Sequence, residues 1–140
     1  MAKHLQFLSL NVRGLRDHVK RAQIFNFLKK YHCGGNSFVF LQETHSLPTD
    51  EKRWELEWGS KIVFDHGNSK KAGVAILFPF RFNSDETKIL SNNNNGHMIV
   101  TLVKMQNDVE YVLFNVYAPT QDKKQEQIEF EETMYNLSKI

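Results

Sequence analysis

Three polar residues stand where apolar runs stop, and their types fit one kind of chemistry. Asn11 follows the run from Leu5 to Leu10, Glu43 follows Phe38-Val39-Phe40-Leu41-Gln42, and Tyr117 ends the stretch that begins near Glu110. A carboxylate such as Glu43 can hold a hard divalent ion such as Mg²⁺, which keeps most of its waters and uses one or two carboxylates plus a substrate phosphate. An Asn amide can orient a neighbouring ligand or a phosphate oxygen. A Tyr hydroxyl can donate to a phosphate oxygen as charge builds there. Breaking a phosphodiester also needs a group that activates water and one that stabilises the transition state, usually an Asp and a His. Taken singly, each residue has a plainer reading: a solvated Glu, an Asn that forms a turn beside Gly14, a Tyr that packs its ring and exposes its hydroxyl. His45 and His66 have no ligand-like partners in sequence and read as surface residues.

The elements that must position these groups are legible from periodicity. Phe38 to Leu41 is an unbroken apolar run, which suits a strand buried on both faces, and Glu43 then falls at the rim of a sheet. In open α/β sheets, sites form at the carboxyl ends of strands. Leu5–Leu10 is the first strand and Gly14 marks a turn where positive φ is needed. Asp17 offers a cap for a helix to about Tyr31, with Ile24, Phe25, Leu28 and Tyr31 at helical spacing and Gly34-Gly35 stopping it. Strand, helix, strand implies a parallel pair. Pro48 and Asp50 open a short helix that carries Trp54 and Trp58 and ends at Gly59. Lys61–Asp65, Ala72–Phe78 and Thr87–Leu90 read as strands, with Pro79 closing the second and a loop over Ser91–Gly96. Met98–Met105 and Glu110–Tyr117 form a hairpin about Gln106-Asn107-Asp108. Asp122 and Gln125 resemble a capping box before a last helix bearing Phe130, Met134 and Leu137. If the strands ending at Asn11, Glu43 and Tyr117 lie side by side, the three side chains converge.

Composition bounds the rest. A chain of 140 residues with 41% apolar content makes one domain with a real core the default, and most of its 11 Phe belong inside. No apolar run approaches the ~20 residues of a membrane span, and the first residues lack a signal-peptide stretch. Cys33 is the single cysteine, which excludes an internal disulfide framework and a CxxC metal site. An intracellular protein is expected. Net charge is only +2, but residues 1–32 hold seven Lys/Arg against one acid, Asp17. That basic front end is compatible with phosphate contact, and for Lys20, Lys29 and Lys30 a solvated helix face serves equally well.

Four words occur in order: Leu10-Asn11-Val12-Arg13-Gly14-Leu15, Leu41-Gln42-Glu43-Thr44-His45, Ala72-Gly73-Val74-Ala75-Ile76-Leu77 and Asn115-Val116-Tyr117-Ala118-Pro119. With them the chain, from about Leu5 onward, resembles the exonuclease–endonuclease–phosphatase superfamily. More closely, it is similar to the apurinic-endonuclease-like domain of non-LTR (LINE-type) retrotransposon proteins. The resemblance implies an α/β fold, part of a four-layer sandwich of two packed β-sheets flanked by helices. It implies hydrolysis of a phosphodiester with Mg²⁺ or Mn²⁺ as cofactor, nicking a target-site DNA duplex to leave a 3′-hydroxyl that primes reverse transcription. It also implies a reverse transcriptase domain on the same polypeptide, a nuclear location and no membrane partner. By position, Glu43 is the metal ligand, Asn11 supports the metal and phosphate site, and Tyr117 contacts the scissile phosphate. Arg13 and His45 flank these positions without an assigned role.

The departures from the family pattern are also specific. Thr120 stands where the family often has Asn after Ala-Pro. The Gly-Asp-Phe-Asn-type and Ser-Asp-His-type segments of the family, with its catalytic Asp, Asn and His, do not occur in these 140 residues. Residues 1–140 are therefore expected to be the N-terminal part of a single domain, inactive by itself. The alternatives are an inactive remnant or a domain turned to nucleic-acid or protein binding, and, less favoured, a phosphatase of the same superfamily. Oligomeric state is left open.

Overall fold

The computed structural model describes residues 5–32, 37–80, 82, 87–92, 95–105, 108–118, 127–128, 131–132 and 135. Among the described residues the bounded strands and α-helices run in the order β1 (Gln6–Asn11), α1 (His18–His32), β2 (Ser37–Gln42), α2 (Glu51–Trp58), β3 (Ile62–Asp65), β4 (Val74–Leu77), β5 (Thr87–Asn92), β6 (Met98–Lys104) and β7 (Glu110–Val116). They make two sheets, of order β1-β2-β4-β3 and β5-β6-β7. β1 and β2 are parallel, as a strand–helix–strand unit requires. All other pairs are antiparallel.

Local chemistry accounts for the element ends. Asp17 caps α1 through its side-chain oxygen, which accepts the Val19 amide at 3.2 Å. Gly59 closes α2 in the left-handed region at φ 93°, with its amide on Glu55 O. β4 stops at Leu77, just before Pro79. β5 continues to Asn92, two residues past the expected end, because it stays paired with β6 across an irregularity between Ile89 and Ser91. The expected capping box at Asp122 and Gln125 lies outside the described residues, as do Phe130, Met134, Leu137, Cys33 and Thr120.

Period-two alternation sorts the sheet residues into two cores. Val39, Leu41, Ile62, Phe64, Ala75 and Leu77 face the helices and meet Phe25 and Leu28 of α1 and Trp54 and Trp58 of α2. Phe38, Val63, Val74, Ile76 and Phe78 face the other way and meet Ile99, Val103 and Leu113 of the second sheet. The layers are thus helices, four-stranded sheet, three-stranded sheet, which is part of the expected α/β sandwich. Phe38 is sealed by edge-on contacts with Phe78 and Phe82, at 5.2 and 5.4 Å between centroids. Tyr31 departs from expectation: it lies on the outer surface against Phe27, ring centroids 5.0 Å apart, rather than in the core. Among the described residues no helix is long and apolar enough to cross a membrane.

The basic front end is mostly committed to the fold. Arg21 is 2% exposed, donates to Leu15 O and Arg16 O, and forks onto Glu57 with its guanidinium over the Trp54 ring. Arg16 pairs with Asp50 at 3.1 Å. Lys20 Nζ donates to Val12 O and Arg13 O, and Lys29 Nζ to Glu57 O.

Arg21 ties the β1–α1 loop to α2, so Arg21→Ala should lower the unfolding free energy in urea by roughly 2–4 kcal/mol, the loss expected when one partner of a buried pair is removed. Glu57 is held below its usual value of 4.5, first by the Arg21 hydrogen bond. Its contribution is therefore present above that pH and lost as pH falls through the lowered value. An acid titration of stability should show this loss in the wild type and not in Arg21→Ala.

Candidate active site

The site is built where two sheets meet rather than along one sheet edge. β1 and β2 are neighbours, and the register pairs Asn11 with Gln42. β7, however, belongs to the second sheet. The side-by-side arrangement expected for the three strands is thus replaced by a face-to-face one. Alternation along β7 turns Leu113 and Asn115 inward. On β2 the same alternation sends Phe38, Phe40 and Gln42 toward the second sheet.

Asn115 joins the two layers. It is 1% exposed, and its Nδ2 donates to Leu41 O at 3.0 Å and to Ala75 O at 2.6 Å. Its Oδ1 accepts from Gln42 Nε2 at 2.9 Å. One amide therefore bonds β2 and β4 from β7. The next inward position beyond β7 is Tyr117, whose hydroxyl donates to Glu43 Oε1 at 2.7 Å. That bond is the first cause, ahead of burial and the carboxylate charge, of a Tyr117 phenol pKa above its usual 10.0. His97 holds Tyr117 from behind. The rings stack at 5.9 Å and 6°, Tyr117 N donates to His97 O, and His97 Nδ1 bonds Tyr117 O at 2.8 Å.

Glu43 sits in the left-handed region at φ 55°, and so do its neighbours Arg13 (φ 50°), His45 (φ 55°) and Ala72 (φ 60°). These loops hold one another by backbone bonds: Gly14 N to Glu43 O, Leu15 N to Thr44 O, Thr44 N to Gly73 O and His45 N to Ala72 O. Gly14 and Gly73 are required here. Both have positive φ, and a Cβ would meet His45 Nδ1 at 2.8 Å in the first case and collide with Thr44 Oγ1 in the second. Asp65, buried at the end of β3, accepts the amides of Gly96 and Met98 through Oδ2, so this acid is a structural acceptor.

Of the sequence candidates, the structure brings Glu43 and Tyr117 into contact. Asn11 is placed at the end of β1, one register step from Glu43, and its Oδ1 accepts the Arg13 amide at 3.1 Å. That is the turn-forming role, which leaves Nδ2 without a partner among the described residues. His66 is not the plain surface residue expected. It stacks on Phe64, bonds Ser46 Oγ through Nδ1 and Glu51 Oε2 through Nε2, each at 2.8 Å, and Ser46 bonds Thr44. Neither Asn115 nor His97 was singled out from sequence. Asn115 had a readable signal, a polar residue at an inward position of a strand. His97 had none.

A hard cation fits this donor set in one way. Tyr117 uses Oε1 of Glu43, and Oε2 has no hydrogen-bond partner among the described residues. Among those residues no three His, Cys, Asp or Glu stand together. One carboxylate oxygen suits an ion that keeps its waters and shares a substrate phosphate, and does not make a cage for a dehydrated ion.

Asn115→Leu removes three hydrogen bonds at the junction of the sheets, two to the carbonyls of Leu41 and Ala75 and one from Gln42 Nε2, and should cost about 2–3 kcal/mol in urea denaturation. Glu43→Gln should return the Tyr117 phenol toward 10.0, read by ultraviolet titration against a Tyr117→Phe control. Because the folded chain holds this proton more tightly than usual, the bond supports the fold below that pH and is lost as pH rises through the raised value.

The geometry agrees with two comparisons. Residues 8–137 match the model of the Endonuclease/Exonuclease/phosphatase family. A relative from Xenopus laevis, described as the transposon TX1 uncharacterized 149 kDa protein, is 36% identical over 118 residues. That match covers 83% of this chain, which spans 8% of the length of the relative. With a family match over nearly the whole sequence, on the α/β sandwich and with the Glu43–Tyr117 contact between its sheets, the chain belongs to the endonuclease/exonuclease/phosphatase family.

Proposed function

We propose that the Glu43 rim is part of the site of a Mg²⁺-dependent phosphodiesterase, a LINE-type retrotransposon endonuclease that nicks target DNA and leaves a 3′-hydroxyl to prime reverse transcription. The 2.7 Å bond from Tyr117 to Glu43 carries this reading. It sets a carboxylate and a phenol on one spot from two different sheets, and those are the groups that a metal-assisted attack on a phosphate needs for holding and orienting. Family membership supports a phosphoester substrate and a divalent ion. The transposon protein that the chain resembles supports a nucleic-acid substrate and a place within a longer retrotransposon polypeptide; a DNA target in the nucleus and a reverse transcriptase on the same polypeptide belong to the proposal itself.

Glu43 would hold the ion through Oε2. The ion would supply charge neutralisation at the phosphate. Tyr117, kept protonated well past neutral pH, would exchange its bond to Glu43 for one to a phosphate oxygen, with His97 fixing the plane of its ring. Asn11 Nδ2 would orient a second phosphate oxygen. The Gly-Asp-Phe-Asn-type and Ser-Asp-His-type words expected from the resemblance do not occur in these 140 residues. We therefore assign binding and orientation to this chain, as the N-terminal part of one domain, and the activation of water to groups it does not carry.

A second reading, a nucleic-acid-binding or protein-binding module without hydrolysis, is favoured by the lack of any cluster of three metal-ligating residues among those described. Nicking of supercoiled plasmid with Mg²⁺ separates the two. A longer polypeptide containing this chain together with both missing words should nick, lose nicking to background in Glu43→Ala, and slow by about 100-fold in Tyr117→Phe. Undiminished nicking in Glu43→Ala would refute the metal assignment. The 140-residue chain alone should show none, and robust nicking by it would refute the division of labour.

A further inference from the structure

The loops around Glu43 concentrate backbone strain. Of the non-glycine residues with positive φ, Arg13, Glu43, His45 and Ala72 all lie in loops that hydrogen-bond to one another. A side chain in the left-handed region persists only where its surroundings over-determine it. At Arg13 they do. Its amide donates to Asn11 Oδ1, its carbonyl accepts from Lys20 Nζ, and the following amide donates to Glu43 O at 2.6 Å. The peptide is clamped on both sides.

The Arg13 side chain does nothing to offset that strain inside the fold. It is exposed, and its guanidinium has no hydrogen bond or ion pair among the described residues. The other described Lys and Arg of this stretch are engaged: Arg16 with Asp50, Arg21 with Glu57, Lys20 and Lys29 with carbonyls, and Lys30 over the Tyr31 ring at 5.2 Å. Lys20 adds a positive charge directly beneath the Arg13 carbonyl. A guanidinium on a strained, clamped backbone beside the Glu43 loop therefore faces outward with its donors unused. Planar donors of this kind pair with phosphate oxygens two at a time.

We propose that Arg13 binds a backbone phosphate of the nucleic acid received at the Glu43 rim, a contact that rests on the phosphodiester reading above. It makes Arg13 a binding residue that places the strand, separate from the groups at the scissile bond.

The test uses the 140-residue chain, a labelled DNA duplex and a salt series, with thermal melts of each variant. Arg13→Gly should weaken duplex binding roughly tenfold and reduce the slope of log affinity against log salt by about 0.9. Its melting temperature should stay at or above that of the wild type, because glycine relaxes the left-handed backbone. Arg13→Lys should keep the salt slope. Loss of binding that tracks a fall in melting temperature would make Arg13 a structural residue and overturn the proposal. A wild-type slope in Arg13→Gly would overturn the contact while leaving the Glu43 site standing, since the duplex is still bound. A wild-type chain that leaves the duplex free at about 50 mM salt would overturn the contact and the reading beneath it together.

Discussion

The Asn115 side chain is the point on which the two sheets depend. Burying a primary amide between apolar layers is unfavourable unless its donors and acceptor are used, and here Leu41 O, Ala75 O and Gln42 Nε2 use all of them. Hydrophobic contact alone would let one sheet slide over the other, since Phe38, Ile76, Ile99 and Leu113 attract without direction. The amide adds direction. It fixes which residue of β7 lies over which carbonyls of β2 and β4, and thereby fixes where Tyr117, two residues on, can reach.

That alignment brings together two strand ends that are 74 residues apart in sequence. Glu43 would otherwise be a half-exposed acid in a loop. With the Tyr117 hydroxyl on one oxygen, the carboxylate has a defined direction and one oxygen left to offer. The order comes at a cost in backbone strain. Glu43, His45, Arg13 and Ala72 are held in conformations that glycine would adopt more readily, and the cross-bonded loops, with Gly14 and Gly73 where no side chain fits, keep them there. A hydroxyl and imidazole chain, Thr44–Ser46–His66–Glu51, anchors the same loop to α2.

The basic front end shows why charge counts mislead. Seven Lys/Arg in residues 1–32 are compatible with phosphate contact and, for Lys20, Lys29 and Lys30, equally with a solvated helix face. Yet Arg21 is an internal strut, Arg16 holds Asp50, and Lys20 and Lys29 close on carbonyls. Only the packing of α1 against α2 and the β1–α1 loop reveals which charges are engaged within the fold. Among the described cations of this stretch, the engaged ones hold the layers around the Glu43 rim, and Arg13, with no partner for its guanidinium among the described residues, sits beside it.

Much was readable from local pattern, because local pattern has local causes. The apolar run of β2, the cap at Asp17, the stops at Gly59 and Pro79 and the hairpin of β6 and β7 all arise from propensities and periodicities within a few residues. The burial alternation along β7 turns Leu113 and Asn115 to one side, with Tyr117 two residues further on. Sequence by itself thus determined the elements, their faces and the presence of Glu43 and Tyr117 at strand ends. It did not determine that β7 joins a separate sheet, that its inward face lies over β2 and β4, or that His66 and Arg21 become internal bridges. Those outcomes were decided by tertiary structure, because sheet-on-sheet packing and buried hydrogen-bond pairing are settled between residues dozens of positions apart, where no short-range preference acts.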